Sequence, residues 1–214
     1  MKVKKLVLGS FAVNCYVVTT EETSFIIDPG ADFSIIDDFL KSEQISPEFI
    51  LNTHGHGDHI GAAQEITEAY GIPFYIHSEE ESIIKDPDRN MSSFFGGNAI
   101  SLKTYKLIDD TNLDFFKQKG LEIFNFPGHT PGSIAIKIQD YLFTGDFLFN
   151  GGIGRTDLPG GSSKKMLESL RKIKNFNRDL AIFPGHGGNS TLGWEVENNF
   201  YLSNDFMEGK GNWL

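Results

Sequence analysis

Three histidines and an aspartate fall within six consecutive positions of the segment NTHGHGDHIGA, at residues 52–62. These side chains are His54, His56, Asp58 and His59, and glycines fill the gaps between the first three. An apolar run precedes the segment and an amphipathic run follows it, which predicts a loop between a strand and a helix. Glycine lets such a loop fold back without side-chain clashes. His54 and His56 can then point one way, and Asp58 and His59 another, so that one loop supplies half of each of two metal sites.

Three later strand ends offer the same kinds of side chain. The segments FNFPGH and AIFPGH end in His129 and His186, and YLFTGD ends in Asp146. Proline cannot continue a strand's hydrogen-bond ladder and glycine allows a tight turn, so each segment would present its last residue beyond a sheet edge. Imidazole and carboxylate are ordinary ligands of catalytic metal ions, which keep an open position beside about three of them.

Counting these ligands predicts a site for two divalent metal ions. The first ion would be held by His54, His56 and His129. The second ion would be held by Asp58, His59 and His186, and Asp146 would bridge the two. Five of the six histidines are then used. A site for one ion is the main alternative, and zinc fits the ligands, although iron and manganese accept them too.

The charge and composition of the chain limit its partners. Nineteen basic residues against twenty-nine acidic ones give a formal net charge of −10 over 214 residues. This balance argues against binding nucleic acid or a membrane surface, since both need a basic face. No apolar run approaches the roughly 18 residues of a membrane span, and the first residues are unlike a signal peptide. We therefore expect a soluble, cytoplasmic monomer or small homo-oligomer, folded as a single domain over residues 1–214.

Short apolar runs and amphipathic runs alternate along the chain and predict an α/β fold. Strands are predicted at residues 3–8, 15–20, 24–28, 49–53, 73–77, 121–126, 133–138, 141–144 and 181–183. Helices are predicted at residues 32–43, 59–70, 78–85, 163–174 and 192–199. Asp32 is expected to cap the first helix, Ser78 and Glu81 to form a capping box, and Gly71 to end the second helix. Residues 86–112 are expected to form a long loop.

The segment THGHGDH resembles the H-x-H-x-D-H motif of the metallo-β-lactamase superfamily. GHT at His129, GD at Asp146 and GH at His186 follow in the order of that family, and IIDPG at Asp28 also matches. GDFLFNGGIGRTDLPGG and IFPGHGGNSTLGWEVENNFYL are similar to the short, single-domain branch of the glyoxalase II-like thioester hydrolases. The resemblance covers nearly the whole chain. It implies an αββα four-layer sandwich, in which two mixed sheets lie face to face with helices outside and the metals at one rim.

The resemblance also implies metal-assisted hydrolysis of a small-molecule acyl-thiol, such as S-lactoylglutathione. A hydroxide shared by two metal ions would attack the thioester carbonyl, and Asp58 would bind the second ion and take a proton from the nucleophilic water. Longer glyoxalase II enzymes hold glutathione with a C-terminal helical domain that these residues do not match, so those contacts are not carried over.

Other functional classes stay open at this point. A persulfide dioxygenase shares the fold and a GRTD-like segment, and would use one iron held by the counterparts of His54, His129 and Asp146. A non-catalytic metal-binding or interaction protein is a third class. β-Lactamase activity is disfavoured, because Asp146 stands where several such enzymes have cysteine.

Several residues have both a functional and a structural interpretation. Asp28 either supports the metal loop from behind the ligands or is only a turn residue. Arg155 either meets a substrate carboxylate or, as we favour, forms a buried ion pair with Asp157. The aromatic residues that either line a pocket or belong to the core are Phe94, Phe95, Phe149 and Trp194.

Three further features are expected to be structural. Cys15, the only cysteine, is expected to be a small buried apolar residue, which leaves no internal disulfide. His77 is expected to have a structural role at a strand end. The acid-rich segment HSEEES is expected to be a solvated helix start, where carboxylates interact favourably with the helix dipole.

Overall fold

The computed structural model describes residues 1–94, 99–109 and 111–209 of the chain. The chain divides into two compact units, Met1–Lys119 and Gly120–Leu214. Each unit has a mixed β-sheet and its own helices. The single domain over residues 1–214 stays a prediction. Among the described residues, no helix is long and apolar enough to cross a membrane.

The first unit is built on a six-stranded sheet whose strands lie in chain order. The strands are β1 Lys2–Leu8, β2 Val13–Thr19, β3 Ser24–Ile27, β4 Phe49–Leu51, β5 Phe74–His77 and β6 Lys106–Ile108. β1, β2 and β3 pair antiparallel, and β3 to β6 pair parallel. Since parallel strands end at the same edge of a sheet, the segments after β3 and β4 meet there. Those two segments carry Asp28 and the histidine loop, our name for residues 52–62.

In the first unit, helices return the chain between the parallel strands, and one more helix follows β6. They are α1 Phe33–Ser42, α2 Gly57–Ile60, α3 Ala63–Tyr70, α4 Glu81–Ile84 and α5 Leu113–Gln118. Short 3₁₀ turns lie at Ser78–Glu80 and Ser92–Phe94. Ile36, Leu40 and Ile66 are fully buried in the core of this unit. Gly71 ends α3 with a φ of 65°, as predicted.

Two of the predicted helix caps are wrong. Asp32 has a φ of 54° and makes no side-chain cap on α1. Its Oδ2 instead accepts a hydrogen bond from the Gly9 backbone N–H at 2.9 Å. In place of a capping box, His77 Nδ1 accepts from the Glu79 N–H at 3.3 Å, which gives His77 a structural contact. A polar side chain before a helix takes whichever donor lies nearest, and that donor can come from a distant segment.

The second unit is built on a five-stranded sheet of order β13-β12-β9-β8-β7. Its strands are β7 Leu121–Asn125, β8 Ile134–Ile138, β9 Tyr141–Gly145, β12 Ala181–Pro184 and β13 Ser190–Thr191. β10 Leu148–Phe149 and β11 Gly152–Ile153 form a separate ribbon. β7, β8 and β9 pair antiparallel and β12 lies parallel to β9, so β7, β9 and β12 all end at one edge. His129, Asp146 and His186 follow those three strand ends.

The helices of the second unit pack their apolar side chains against its sheet. They are α6 Ser163–Ile173, α7 Leu192–Asn198 and α8 Asn204–Met207, with a 3₁₀ turn at Phe200–Leu202. In α6, Met166, Leu170 and Ile173 are buried and Leu167 is partly buried against the same cluster, the apolar stripe of an amphipathic helix.

All nine predicted strands are present, and no end differs from its prediction by more than two residues. The predicted helix over residues 59–70 is interrupted at Gly61 and Ala62. The predicted long loop over residues 86–112 is wrong where it contains β6, Lys106–Ile108. This strand has only two apolar residues, so no apolar run marks it in the sequence, whereas the equally short β4 is apolar throughout.

Candidate functional site

The histidine loop of the first unit brings four metal-ligand side chains together. His54 has a ring nitrogen within 4.8 Å of one on His56 and a ring nitrogen within 4.8 Å of one on His59, and a carboxylate oxygen of Asp58 lies within the same limit of a His59 ring nitrogen. The three histidines are buried, and Asp58 is partly exposed. The ring centroids of His54 and His59 are 4.1 Å apart. A buried group of imidazoles and a carboxylate is the donor chemistry that divalent transition metals prefer.

Asp28 contacts the histidine loop and fixes the tautomer of the neutral His59 ring. Its Oδ1 accepts from the Thr53 N–H at 2.8 Å, and its Oδ2 accepts from the Thr53 hydroxyl at 2.7 Å. The same Oδ2 lies 3.0 Å from His59 Nδ1. Because a carboxylate can only accept, the neutral His59 ring carries its proton on Nδ1 and its lone pair on Nε2, the atom that would bind a metal.

The same carboxylate acts on His54 through Thr53. Thr53 has one hydroxyl hydrogen, which it donates to Asp28. Its Oγ1 therefore accepts from His54 Nδ1, at 3.1 Å. His54 Nε2 is then the lone-pair nitrogen as well. Asp28 thus orients two imidazoles, which favours its interpretation as a support for the metal loop.

Further groups of the first unit hold the backbone of the histidine loop. Asn52 Nδ2 donates to the carbonyl oxygens of His54 and His59 at 3.2 and 3.0 Å, which ties the two ends of the ligand run together. The Gly57 N–H donates to the Asn90 carbonyl at 2.7 Å. Sequence reasoning missed both asparagines. The Asn90 contact joins positions far apart in the sequence, and the Asn52 contacts, although local, form only because the loop folds back on itself.

Glu80 also contacts the loop, and this corrects the expected solvated helix start at HSEEES. Its side chain is fully buried, and Oε2 accepts from the Gly55 N–H at 2.8 Å. The sequence did contain a sign of this burial. Glu80 stands three and four positions before Ile83 and Ile84, and that spacing places all three on one face of a helix.

The second unit forms its own cluster from His129, Asp146 and His186. Nε2 of each histidine lies 3.6 Å from the same oxygen, Asp146 Oδ2. Two ligands of one tetrahedral zinc ion, each 2.0–2.1 Å from the metal, are about 3.3 Å apart, so this spacing suits shared ions. His129 Nδ1 donates to the Arg155 carbonyl at 2.8 Å, which leaves the lone pair on Nε2. The donor set of this unit therefore also fits a divalent metal.

A buried carboxylate holds the segment that follows His186. Glu195 is fully buried and accepts from the Gly151 N–H at 3.0 Å and from Asn199 Nδ2 at 2.8 Å. It also accepts from the Ser190 hydroxyl. The Phe149 ring lies 6.2 Å from the His186 ring. Glu195 thus joins three segments around His186, a role that its sequence context did not indicate.

The remaining candidates have structural surroundings. Arg155 pairs with both carboxylate oxygens of Asp157, at 2.7 and 2.8 Å, as we favoured. The predicted burial of this pair is wrong, since both side chains are exposed, and the Arg155 hydrogen bond lowers the pKa of Asp157 to about 2. Cys15 is buried as predicted, and burial raises the pKa of its thiol.

The aromatic residues that were expected to line a pocket or the core differ in exposure. Phe94 and Trp194 are 68% and 46% exposed, so neither belongs to the core. Phe149 is partly buried beside His186. Phe95 lies outside the described residues.

Four of the predicted ligands are thus gathered in the first unit and three in the second. His54, His56, Asp58 and His59 share one loop, and His129, Asp146 and His186 share one sheet edge. The division of these seven residues between two ions stays a prediction.

Asp28→Asn is expected to lower zinc affinity by about 10–100-fold with little loss of folded structure. Asparagine tolerates the left-handed backbone at this position, where φ is 50°. Its amide can keep the Thr53 N–H bond only by turning its NH₂ group towards His59 Nδ1. That donor would force the proton of His59 onto Nε2, where it blocks metal binding. Competition with a chromophoric chelator measures the affinity, and circular dichroism checks the fold.

Asp32→Asn is the matched control for this variant. Asp32 also has a left-handed backbone and accepts a backbone N–H, but its hydrogen bond goes to Gly9 in the turn after β1. Zinc affinity equal to wild type in both variants would contradict the assigned role of Asp28.

Two curated relatives match almost the whole chain. A probable metallo-hydrolase, YqgX of Bacillus subtilis, is 34% identical over 210 residues, which are 95% of this chain and 98% of the relative. The hydroxyacylglutathione hydrolase GloC of Haemophilus influenzae is 31% identical over 209 residues, 95% of this chain and 99% of the relative.

Two solved structures have the same fold. The B3 metallo-beta-lactamase BLEG-1 is 33% identical with a TM-score of 0.85, over 95% of this chain and all of that chain. TTHA1623, crystallised in a di-iron-bound form, is 31% identical with a TM-score of 0.85, over 94% of this chain and all of that chain. These likenesses, with the two mixed sheets and their helices, confirm the predicted fold class.

The family model of the metallo-beta-lactamase superfamily matches residues 8–186, which include every predicted ligand. This match covers most of the chain, and the curated relatives exceed 30% identity over nearly its full length. The chain therefore belongs to the metallo-beta-lactamase superfamily.

Proposed function

We propose that the chain is a hydrolase that uses two divalent metal ions to cleave a small-molecule thioester. The observation that carries the proposal is the pair of clusters, four ligands on the histidine loop and three in the second unit. We assign one ion to His54, His56 and His129. We assign the other ion to Asp58, His59 and His186, with Asp146 shared. The equal 3.6 Å distances from Asp146 Oδ2 to its two histidines support the shared role.

Two bound divalent ions would supply a water activated near neutral pH and would polarise the thioester carbonyl. The residues of the chain prepare the site for this chemistry. In the neutral imidazoles, Asp28 places the proton on Nδ1 of His59 directly and on Nδ1 of His54 through Thr53, so the lone pair is on Nε2 of each ring. Asp58 is partly exposed, with Oδ2 at 3.8 Å from His59 Nε2, and we assign it the role of taking the proton from the nucleophilic water. A thiolate leaves readily, so no further general acid is required.

The metal is zinc or iron in this proposal, with manganese as a further option. Imidazole and carboxylate suit all three ions. The likeness to TTHA1623, whose structure is di-iron-bound, supports two metals and keeps iron among them.

A cleft of the first unit supports a thioester with an uncharged acyl group. The cleft has a volume of about 420 Å³ and reaches Asp58. Leu8, Phe11 and Val13 give it an apolar wall, and none of its described lining residues is lysine or arginine. A carboxylate-bearing group would meet no cation there, whereas an acyl chain would meet apolar surface. The likeness to GloC, a hydroxyacylglutathione hydrolase, supports an acyl-thiol substrate.

The test is thiol release by metal-loaded protein in a sealed, oxygen-free cuvette. We expect S-lactoylglutathione to be cleaved without oxygen, and cleavage to stop after chelation. A hexanoyl thioester of the same thiol is expected to be cleaved with a higher kcat/KM, because its chain reaches further into the apolar cleft. Asp146→Asn is the variant that should lose cleavage with either substrate, since it removes the ligand shared by both ions.

Two parallel assays test for other activities that occur in proteins of this fold. An oxygen electrode with glutathione persulfide tests for a dioxygenase with one iron. A chromogenic cephalosporin tests for β-lactamase activity, because the chain resembles the B3 metallo-beta-lactamase BLEG-1. Oxygen uptake with persulfide, or β-lactam hydrolysis, in a protein that leaves both thioesters intact would overturn the proposal.

A further inference from the structure

Glu80 is a carboxylate with no exposed surface, at the end of the 3₁₀ turn Ser78–Glu80. Burial of a carboxylate is costly unless it is hydrogen-bonded. Its neighbours Glu79 and Glu81 are more exposed, so the burial is particular to position 80. A side chain held in this way is expected to have a defined partner.

That partner is the peptide between two predicted metal ligands. Oε2 accepts from the Gly55 N–H at 2.8 Å, although the two residues are 25 positions apart. Gly55 stands between His54 and His56, whose ring nitrogens lie within 4.8 Å of each other. The carboxylate therefore holds the backbone from which both imidazoles project.

A side chain at position 55 would force its neighbours to shift. A Cβ at this position would lie 2.8 Å from Ile84 Cγ2 and 3.0 Å from Glu80 Oε2. Real Cβ atoms essentially never come within 3.0 Å of another heavy atom, so Gly55 is packed tightly against Ile84 and Glu80. The hydrogen bond and the tight packing together leave the peptide little freedom to rotate.

We infer that Glu80 is a positioning residue for the metal ion of the proposed function: it sets the spacing of His54 and His56 and adds a buried negative charge near the cation. The geometric part acts through the Gly55 peptide. The electrostatic part follows because a charge in a low-dielectric interior acts on a nearby cation more strongly than one in water. The inference rests on the proposed function, since it needs a bound metal.

Two substitutions separate the geometric part from the electrostatic part. Glu80→Gln keeps the size of the side chain and a carbonyl oxygen for the Gly55 N–H, but removes the charge. Glu80→Ala removes both. Glu79→Gln is the matched control, because it makes the same charge change at an exposed neighbouring position.

Zinc affinity of the full chain, measured by competition with a chromophoric chelator, is the readout. We expect Glu80→Gln to weaken the binding of one ion about 10-fold and Glu80→Ala to weaken it towards 100-fold, the range found for groups that support metal ligands. Glu79→Gln is expected to bind zinc as wild type does. Circular dichroism and thermal unfolding of the metal-free proteins check that the fold is retained.

The outcomes separate this inference from the proposed function. Zinc affinity of Glu80→Gln within twofold of wild type would overturn the electrostatic part of the inference. Zinc affinity of Glu80→Ala within twofold of wild type would overturn the geometric part. Since Glu80→Ala removes a buried acceptor and can fail to fold, Glu80→Asp, which keeps the charge but withdraws the oxygen from the Gly55 N–H, tests the geometric part by the same criterion. Each of these results leaves the proposed function intact. A wild-type chain that binds no divalent ion would overturn both the inference and the proposed function.

Discussion

His186→Ala is expected to remove one of two bound metal ions and to lower thioester turnover by more than about 100-fold, beyond the loss typical of supporting groups. In the proposed assignment His186 binds the second ion, whereas His54, His56 and His129 bind the first. Nε2 of His186 and Nε2 of His129 lie 3.6 Å from the same Asp146 oxygen, so loss of His186 leaves Asp146 with one histidine partner in its cluster. Elemental analysis gives the number of metals per chain, and thiol release gives the rate.

His77→Ala is the control for this experiment. His77 is the one histidine outside both clusters, and its Nδ1 accepts the Glu79 N–H. We expect it to retain two metals and near wild-type turnover. A His186→Ala protein with one metal and unchanged turnover would rule out the dinuclear mechanism.

Gly154→Ala is expected to destabilise the protein by about 3 kcal/mol, at the upper end of the cost of an overpacked core. A Cβ at this position would lie 1.9 Å from the Asp146 carbonyl oxygen and 3.0 Å from His129 Nδ1. The first contact is with backbone, so no side-chain rotation can relieve it. The melting temperature is expected to fall by about 6–12 °C for a chain of this size. Zinc affinity is expected to fall with it, because two predicted ligands must move.

Gly152→Ala makes the same chemical change two residues away. Its nearest atom would be 3.9 Å from the new Cβ, an ordinary contact distance. We expect a change in stability of no more than about 0.5 kcal/mol. Equal melting temperatures for the two variants would show that the chain accommodates a Cβ at position 154, and would remove the steric argument.

The sequence was sufficient to predict the strands that carry the ligands, because each has an apolar run with a clear stop. In FNFPGH and AIFPGH the proline and glycine mark the end of a strand. β7 and β12 do stop before His129 and His186. The histidine loop was predictable because glycines separate its ligands. The strand Lys106–Ile108 was missed because its two apolar residues form no run, unlike the equally short Phe49–Leu51.

The supporting residues around the ligands were much harder to predict. Glu195 accepts hydrogen bonds from Gly151, Ser190 and Asn199, and only Asn199, four residues further along the helix, is related to it by a helical spacing. Asp32 shows the opposite error, since a residue that suits a helix cap bonds to Gly9 instead. Such contacts depend on how strands and loops are brought together in three dimensions. Glu80 alone could have been found, from its helical spacing to Ile83 and Ile84.

The backbone conformation and hydrogen bonds of Asp28 limit which amino acids can occupy position 28. A backbone φ of 50° is readily adopted by glycine, asparagine and aspartate, and is strained for other residues. The contacts to Thr53 and His59 require two oxygens that only accept, which aspartate and glutamate alone provide. Aspartate is the one residue type common to both groups. Among the twenty amino acids, position 28 therefore has no substitute that preserves both the turn and the orientation of the two imidazoles.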